Sequence, residues 1–140
     1  MLFNPATDCK IISVEAAAAA GTTDLTSDVV DCEGYETVTF IAAIGTITSG
    51  AVTSLVGYTH TADAASGSAV TGATVTIADT DSGKLAVLTM QKPQKRYAYA
   101  VLDRGTQNAV HDRMICILSN PTKAPTSHGS NVITPVTVTA

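Results

Sequence analysis

YETVTFIAAIG, residues 35–45, is the stretch whose reading decides the fold. Val38, Phe40, Ala42 and Ile44 recur at every second position, while Glu36, Thr37 and Thr39 keep the start polar. Side chains alternate across a pleated strand, so this spacing predicts a strand with one buried face. A helix would need apolar residues three and four apart.

The same signal recurs on both sides. Downstream, GAVTSLVGYTH (50–60), ATVTIA (73–78) and LAVLTMQ (85–91) read as strands. TADAASGSAVTG (61–72) reads as a loop and DTDSGK (79–84) as a turn, so the strands flanking 79–84 are expected to form a hairpin. RYAYAVLD (96–103) puts Tyr97, Tyr99 and Val101 on one face, and several of the four tyrosines are expected at core positions. DRMICILSN (112–120) puts Met114, Cys116 and Leu118 on one face and Ile115 and Ile117 on the other. Upstream, KIISVEA (10–16) reads as a strand. The alanine run that follows reads as a small-residue connector with room for one helical turn, because five Ala make no apolar stripe and Gly21 stops them. GTTDLTSDVVDCEGY (21–35) reads as a polar loop. Seven or eight short strands with no long helix predict an all-β, antiparallel, jelly-roll-like sandwich. It forms one domain over residues 1–140, with 1–9 and 122–140 as extended arms.

Composition sets the outer limits. The 140 residues are 45% hydrophobic, 14% charged and 4% aromatic, with no Trp, which is the make-up of one folded domain with an unusually uncharged surface. A net charge of −4 excludes a general phosphate-backbone binder, so no nucleic acid is expected as partner. The one basic knot, QKPQKR (91–96), reads as a solubilising turn. No apolar run approaches the roughly 20 residues of a membrane helix, and MLFNPATDCK lacks the layout of a secretory signal. Neither a membrane partner nor a membrane location is expected. Cys9, Cys32 and Cys116 are odd in number and lack CxxC spacing, which suits buried thiols in a reducing compartment.

Candidate chemistry is sparse. LDRGTQNAVHDRMICIL (102–118) carries Asp103-Arg104, Asp112-Arg113 and His111. A base and orienting acid could be His111 and Asp103, but Thr106 is a poor nucleophile and no spacing demands a site. We read the stretch as a hairpin loop pinned by turn geometry and Asp/Arg pairs, in which His111→Ala would change little. Asp79, Asp81 and Asp63 lack EF-hand spacing, and turn carboxylates more often bind their own backbone. His60, His111 and His128 lack zinc-ligand spacing. No enzyme, cofactor or metal is expected.

The block TSGAVTSLVGYTHTADAAS, followed by TVTIADTDSGKLAVLTMQKPQKRYAYAVLDRGTQNAVHDRMICILSNP, resembles the capsid decoration (cement) proteins of tailed bacteriophages. The resemblance covers roughly residues 10–121 and is strongest over 73–121, with DRGTQNAV (103–110) its most recognisable element. It carries no catalytic motif. It implies a jelly-roll-type fold made in the host cytoplasm and bound as homodimers on the outer face of an icosahedral head. There it would cement neighbouring copies of the major capsid protein in the virion. The alternative class is a small-ligand or carbohydrate-binding β-sandwich, such as a host-surface contact, although aromatics for stacking on sugars are few.

The termini are the expected contact elements. Leu2 and Phe3 precede Pro5 on a segment too short to bury them, and Val132, Ile133 and Val136 lie on a β-prone tail. Pro135 unsuits that tail to a central strand. Apolar ends of this kind either complete a neighbour by strand addition or groove anchoring, or pack back on their own sandwich or fray.

Overall fold

The computed structural model describes residues 2–51 and 53–139. Val52, inside the second predicted strand, lies outside the described residues. Strands β5 (Tyr35–Ile47) and β10 (Ala109–Pro121) form the centre of one antiparallel sheet. Val38 faces Leu118, Phe40 faces Cys116 and Ala42 faces Met114, and all six side chains are buried. The alternation read from 35–45 is therefore the inward face of β5. Strand β1 (Lys10–Glu15) lies outside β10 and β8 (Leu85–Gln91) outside β5. Strand β2 (Ala18–Gly21) continues along β10.

The second sheet has β9 (Tyr97–Arg104) and β6 (Thr53–His60) at its centre and β7 (Ser68–Ile77) at one edge. Two short strands, β3 (Leu25–Thr26) and β4 (Val30–Asp31), share the other edge. The sheets bury Leu55, Ala98, Ala100 and Leu102 of the second against Phe40, Leu88, Met90 and Met114 of the first. Gly57, in the middle of β6, makes room for this packing: a Cβ there would lie 2.8 Å from Met90 Sδ. Such interdigitation is what joins two half-apolar sheets into one core.

Taking β1/β2 and β3/β4 as the halves of two bent strands, eight strands remain. Every connection except β6–β7 crosses from one sheet to the other. This strand order is that of a jelly roll. It corrects the expected hairpin at 79–84, because β7 pairs with β6 and β8 pairs with β5. The turn there is a short 3-10 segment, Asp79–Asp81, docked on the end of β5. Gly83 N–H donates to Ile44 O at 3.0 Å, Ile44 N–H donates to Lys84 O at 2.9 Å and Ile47 N–H donates to Ser82 Oγ at 3.0 Å. Those bonds commit the chain leaving the turn to the β5 sheet.

Three further readings are corrected. The alanine connector is β2, held in register with Ala109 and His111, where Gly21 leaves room for Arg104. The polar stretch 21–35 contains β3 and β4, bridged by buried Ser27, whose N–H donates to Ala100 O and whose Oγ accepts from Ala100 N–H, each at 2.9 Å. Tyr97, Tyr99 and Val101 do share a face, but it is the outer one, because Ala98, Ala100 and Leu102 fill the core. A one-turn helix, α1 (Pro5–Asp8), precedes the sandwich and is capped by Asn4, whose Oδ1 accepts from Ala6 N–H at 3.0 Å.

Candidate functional site

The arms leave the sandwich beside β1 and behave differently along their length. Residues 126–131 lie along the free edge of β1. Gly129 N–H donates to Ile11 O at 2.8 Å, and Ile11 N–H donates to His128 Nδ1 at 2.9 Å. Asn131 spans Ser13, accepting from its N–H at 3.2 Å and donating to its carbonyl at 2.8 Å. Thr126 N–H donates to Thr7 O at 2.8 Å, and Thr126 Oγ1 donates to Cys9 O. The His128 and Asn131 side chains and the Gly129 backbone together stand in for a strand here, which protects an edge that would otherwise pair with another chain.

Residues 133–139 pair with no strand among the described residues. Val132 itself is half-buried, while Ile133 (92%), Val136 (85%), Leu2 (93%) and Phe3 (69%) are exposed. Asn4 Nδ2 donates to Thr137 Oγ1 at 3.2 Å, which brings the N-terminal arm alongside the tail. Four of the five residues expected to make contacts thus lie exposed on two adjoining arms, and Val132 stands apart. Exposed Val138 extends the same strip. Sequence reasoning missed Leu85 and Val87, exposed on the outer face of edge strand β8. Their alternation was visible, but not which half of it faced water.

The 102–118 stretch is built otherwise than expected. Its loop joins strands of different sheets, so it is not a hairpin. No Asp/Arg pair pins it. Arg104 is buried, at 5% exposure, and donates to three carbonyls: Nε to Thr23 O at 2.7 Å, Nη1 to Ala19 O at 2.8 Å and to Ala109 O at 2.9 Å. Arg113 is exposed and donates to Ser13 Oγ at 2.7 Å. Asp103 faces Asp24, and burial together with that neighbour raises its carboxyl above the usual range. Thr106 Oγ1 donates to Gly50 O at 2.9 Å, and Thr48 N–H donates to Asn108 O at 2.9 Å, which fixes the loop to the connection between β5 and β6. His111 is a core residue of β10 with 0% exposure, so the reading of it as a dispensable loop residue is also corrected.

The turn carboxylates Asp79 and Asp81 bind backbone and a neighbouring lysine. Asp79 Oδ2 accepts from Gly50 N–H at 2.7 Å, and Asp81 accepts from Ala78 N–H and pairs with Lys84, each at 2.8 Å. Among the described residues no group of three His, Cys, Asp or Glu side chains is placed to hold a metal ion. No helix among them is long and apolar enough to cross a membrane. Cys9, Cys32 and Cys116 are free and buried, as their spacing suggested. On the outer face of the second sheet Tyr58 stacks on Tyr99 at 5.0 Å, Tyr99 Oη accepts from Gly67 N–H at 2.9 Å, and the Arg96 guanidinium covers Tyr97 at 5.3 Å.

No protein-family model and no curated protein matches this chain. Among solved structures it is similar to a chain described under "Bacillus endospore appendages form a novel family of disulfide-linked pili", with a TM-score of 0.48 and 16% identity. The match covers 81% of this chain and 85% of that one. A likeness of that degree carries no functional argument.

Proposed function

We propose that this protein is a structural component of a tailed-phage virion that binds the outer surface of the icosahedral head and cements neighbouring major capsid proteins. The resemblance of residues 10–121 to capsid decoration proteins supplies the reading. The observation that carries it furthest is the pair of adjoining arms, which hold Leu2, Phe3, Ile133 and Val136 in solvent. Large apolar side chains on arms that do not complete their own core lower free energy by burial on a partner. The same reading takes the protein as a homodimer, and the uncharged edge strand LAVLTMQ with exposed Leu85 and Val87 favours self-association. The carbohydrate-binding alternative gains nothing from Tyr97 or Tyr99, because Tyr99 is buried and Arg96 lies over Tyr97.

Co-sedimentation of the purified chain with undecorated heads tests the proposal. Saturable binding at a copy number comparable with the shell protein is expected. Absence of binding at micromolar concentration would overturn it.

A further inference from the structure

At one end of the sandwich two buried basic side chains, Arg104 and His111, lie near one another. Arg104 clamps carbonyls of Ala19 and Thr23, on and just after β2, to that of Ala109 at the start of β10. Its backbone N–H donates to Asp24 Oδ1 at 3.2 Å. Gly21 fits closely against it, since a Cβ there would lie 3.1 Å from Nη2. His111 lies beside this clamp, fully buried, and neither ring nitrogen has a hydrogen-bond partner among the described residues. Its register partners are Ala18 of β2 and Ile44 of β5, and β6 contributes Thr53 opposite Arg104. None of these is charged. The charged groups acting on His111 are Arg104 from β9, and Asp112 and Arg113, which follow it on β10 and are both exposed.

We propose that Arg104 and His111 form an acid-sensitive latch: neutral His111 lets the Arg104 clamp hold residues 18–24 and the β9–β10 connection on the sandwich, and protonated His111 releases them. A neutral imidazole packs here as an apolar ring at the cost of unpaired nitrogens. An imidazolium would be a second buried cation next to a guanidinium, with no acceptor of its own, and opening this end is the way to hydrate it. Burial first, and Arg104 second, hold His111 below the ordinary histidine range, and Asp112 opposes them. The sign follows. The latch is fully closed above the unfolded-chain value of about 6.5 and loses stability progressively as pH falls below it, because the open state then binds the extra proton.

Residue-resolved hydrogen exchange at pH 7.5 and 5.0, corrected for intrinsic rates, tests this together with the imidazole resonances of the wild-type chain. Opening of residues 18–24 and 104–111 should be about tenfold more frequent at pH 5.0, with residues 38–42 and 114–118 unaffected. In His111→Leu the opening should no longer become more frequent toward pH 5.0, whereas His60→Gln should keep the wild-type response. An equal pH response in His111→Leu would overturn the latch, and so would an unchanged 18–24 segment in the wild type. Should His111→Leu fail to fold, the wild-type resonances decide: His111 protonated in the closed state at pH 6 would overturn the latch, and a neutral ring there would support it.

Discussion

The backbone N–H of Ile11 donates to Nδ1 of His128 at 2.9 Å, although 117 residues separate them in sequence. With Asn131 on Ser13, this contact makes part of the C-terminal arm a piece of the sandwich and leaves the rest free. Truncations on either side of that boundary should therefore behave differently. Removing 133–140 should leave the thermal midpoint within a few degrees of the full chain and weaken head binding. Removing 126–140 uncovers β1 and should cost roughly 1–3 kcal/mol, from a few net bonds at about 1 kcal/mol each, with aggregation through the bared edge. Chemical denaturation of the two truncated chains distinguishes them, and equal midpoints would show that the arm does not cover the edge.

Arg104 and Arg113 look equivalent in sequence but not in the fold. Arg104→Ala strands three carbonyls and should destabilise by about 3 kcal/mol. Arg104→Lys should recover little, because one ammonium cannot reproduce the fork that spans Thr23, Ala19 and Ala109. Arg113→Ala, at an exposed position, should stay within about 0.5 kcal/mol. Urea unfolding of the three variants provides the comparison.

Asp103 faces Asp24, and burial and that second carboxyl raise its titration above the usual range. A carboxyl raised in the fold opposes folding when ionised. Asp103→Asn should accordingly be more stable than wild type at pH 7, by less than about 1 kcal/mol. The advantage should vanish as pH falls to the unfolded value of about 3.9. Unfolding free energies between pH 7 and pH 4 measure it, and an advantage that grew toward acid would contradict the pairing.

Burial pushes the Cys32 thiol up to about 11 and raises Cys9 and Cys116 as well. The thiolate is the reactive form, so the native protein should react slowly with a disulfide reagent at pH 8. The rate should jump on denaturation. Rapid stoichiometric labelling of the native chain would show that these side chains are accessible.

Period-two alternation was enough to identify the strands and the shared faces of β5 and β10, because a pleated strand sends successive side chains to opposite sides whatever its neighbours. Val38, Phe40, Ala42, Met114, Cys116 and Leu118 were legible for that reason. The apolar arms were legible too, since Pro135 and short length exclude Leu2 and Ile133 from a central strand. Alternation is a local property, however, and carries no record of which sheet a strand joins or which half of its pattern faces inward. Only tertiary structure decided that β7 and β8 part into different sheets, that Tyr97 and Tyr99 look outward, and that an alanine run with little strand propensity becomes β2 beside β10. The same holds for the polar residues. Asp103-Arg104 and Asp112-Arg113 are the same dipeptide in sequence, yet the crossover between sheets buries Arg104 under β2 and carries His111 into the core. Burial and bonding partners arise from contacts between distant segments, and those contacts turned an apparent surface loop into a buried pair of bases.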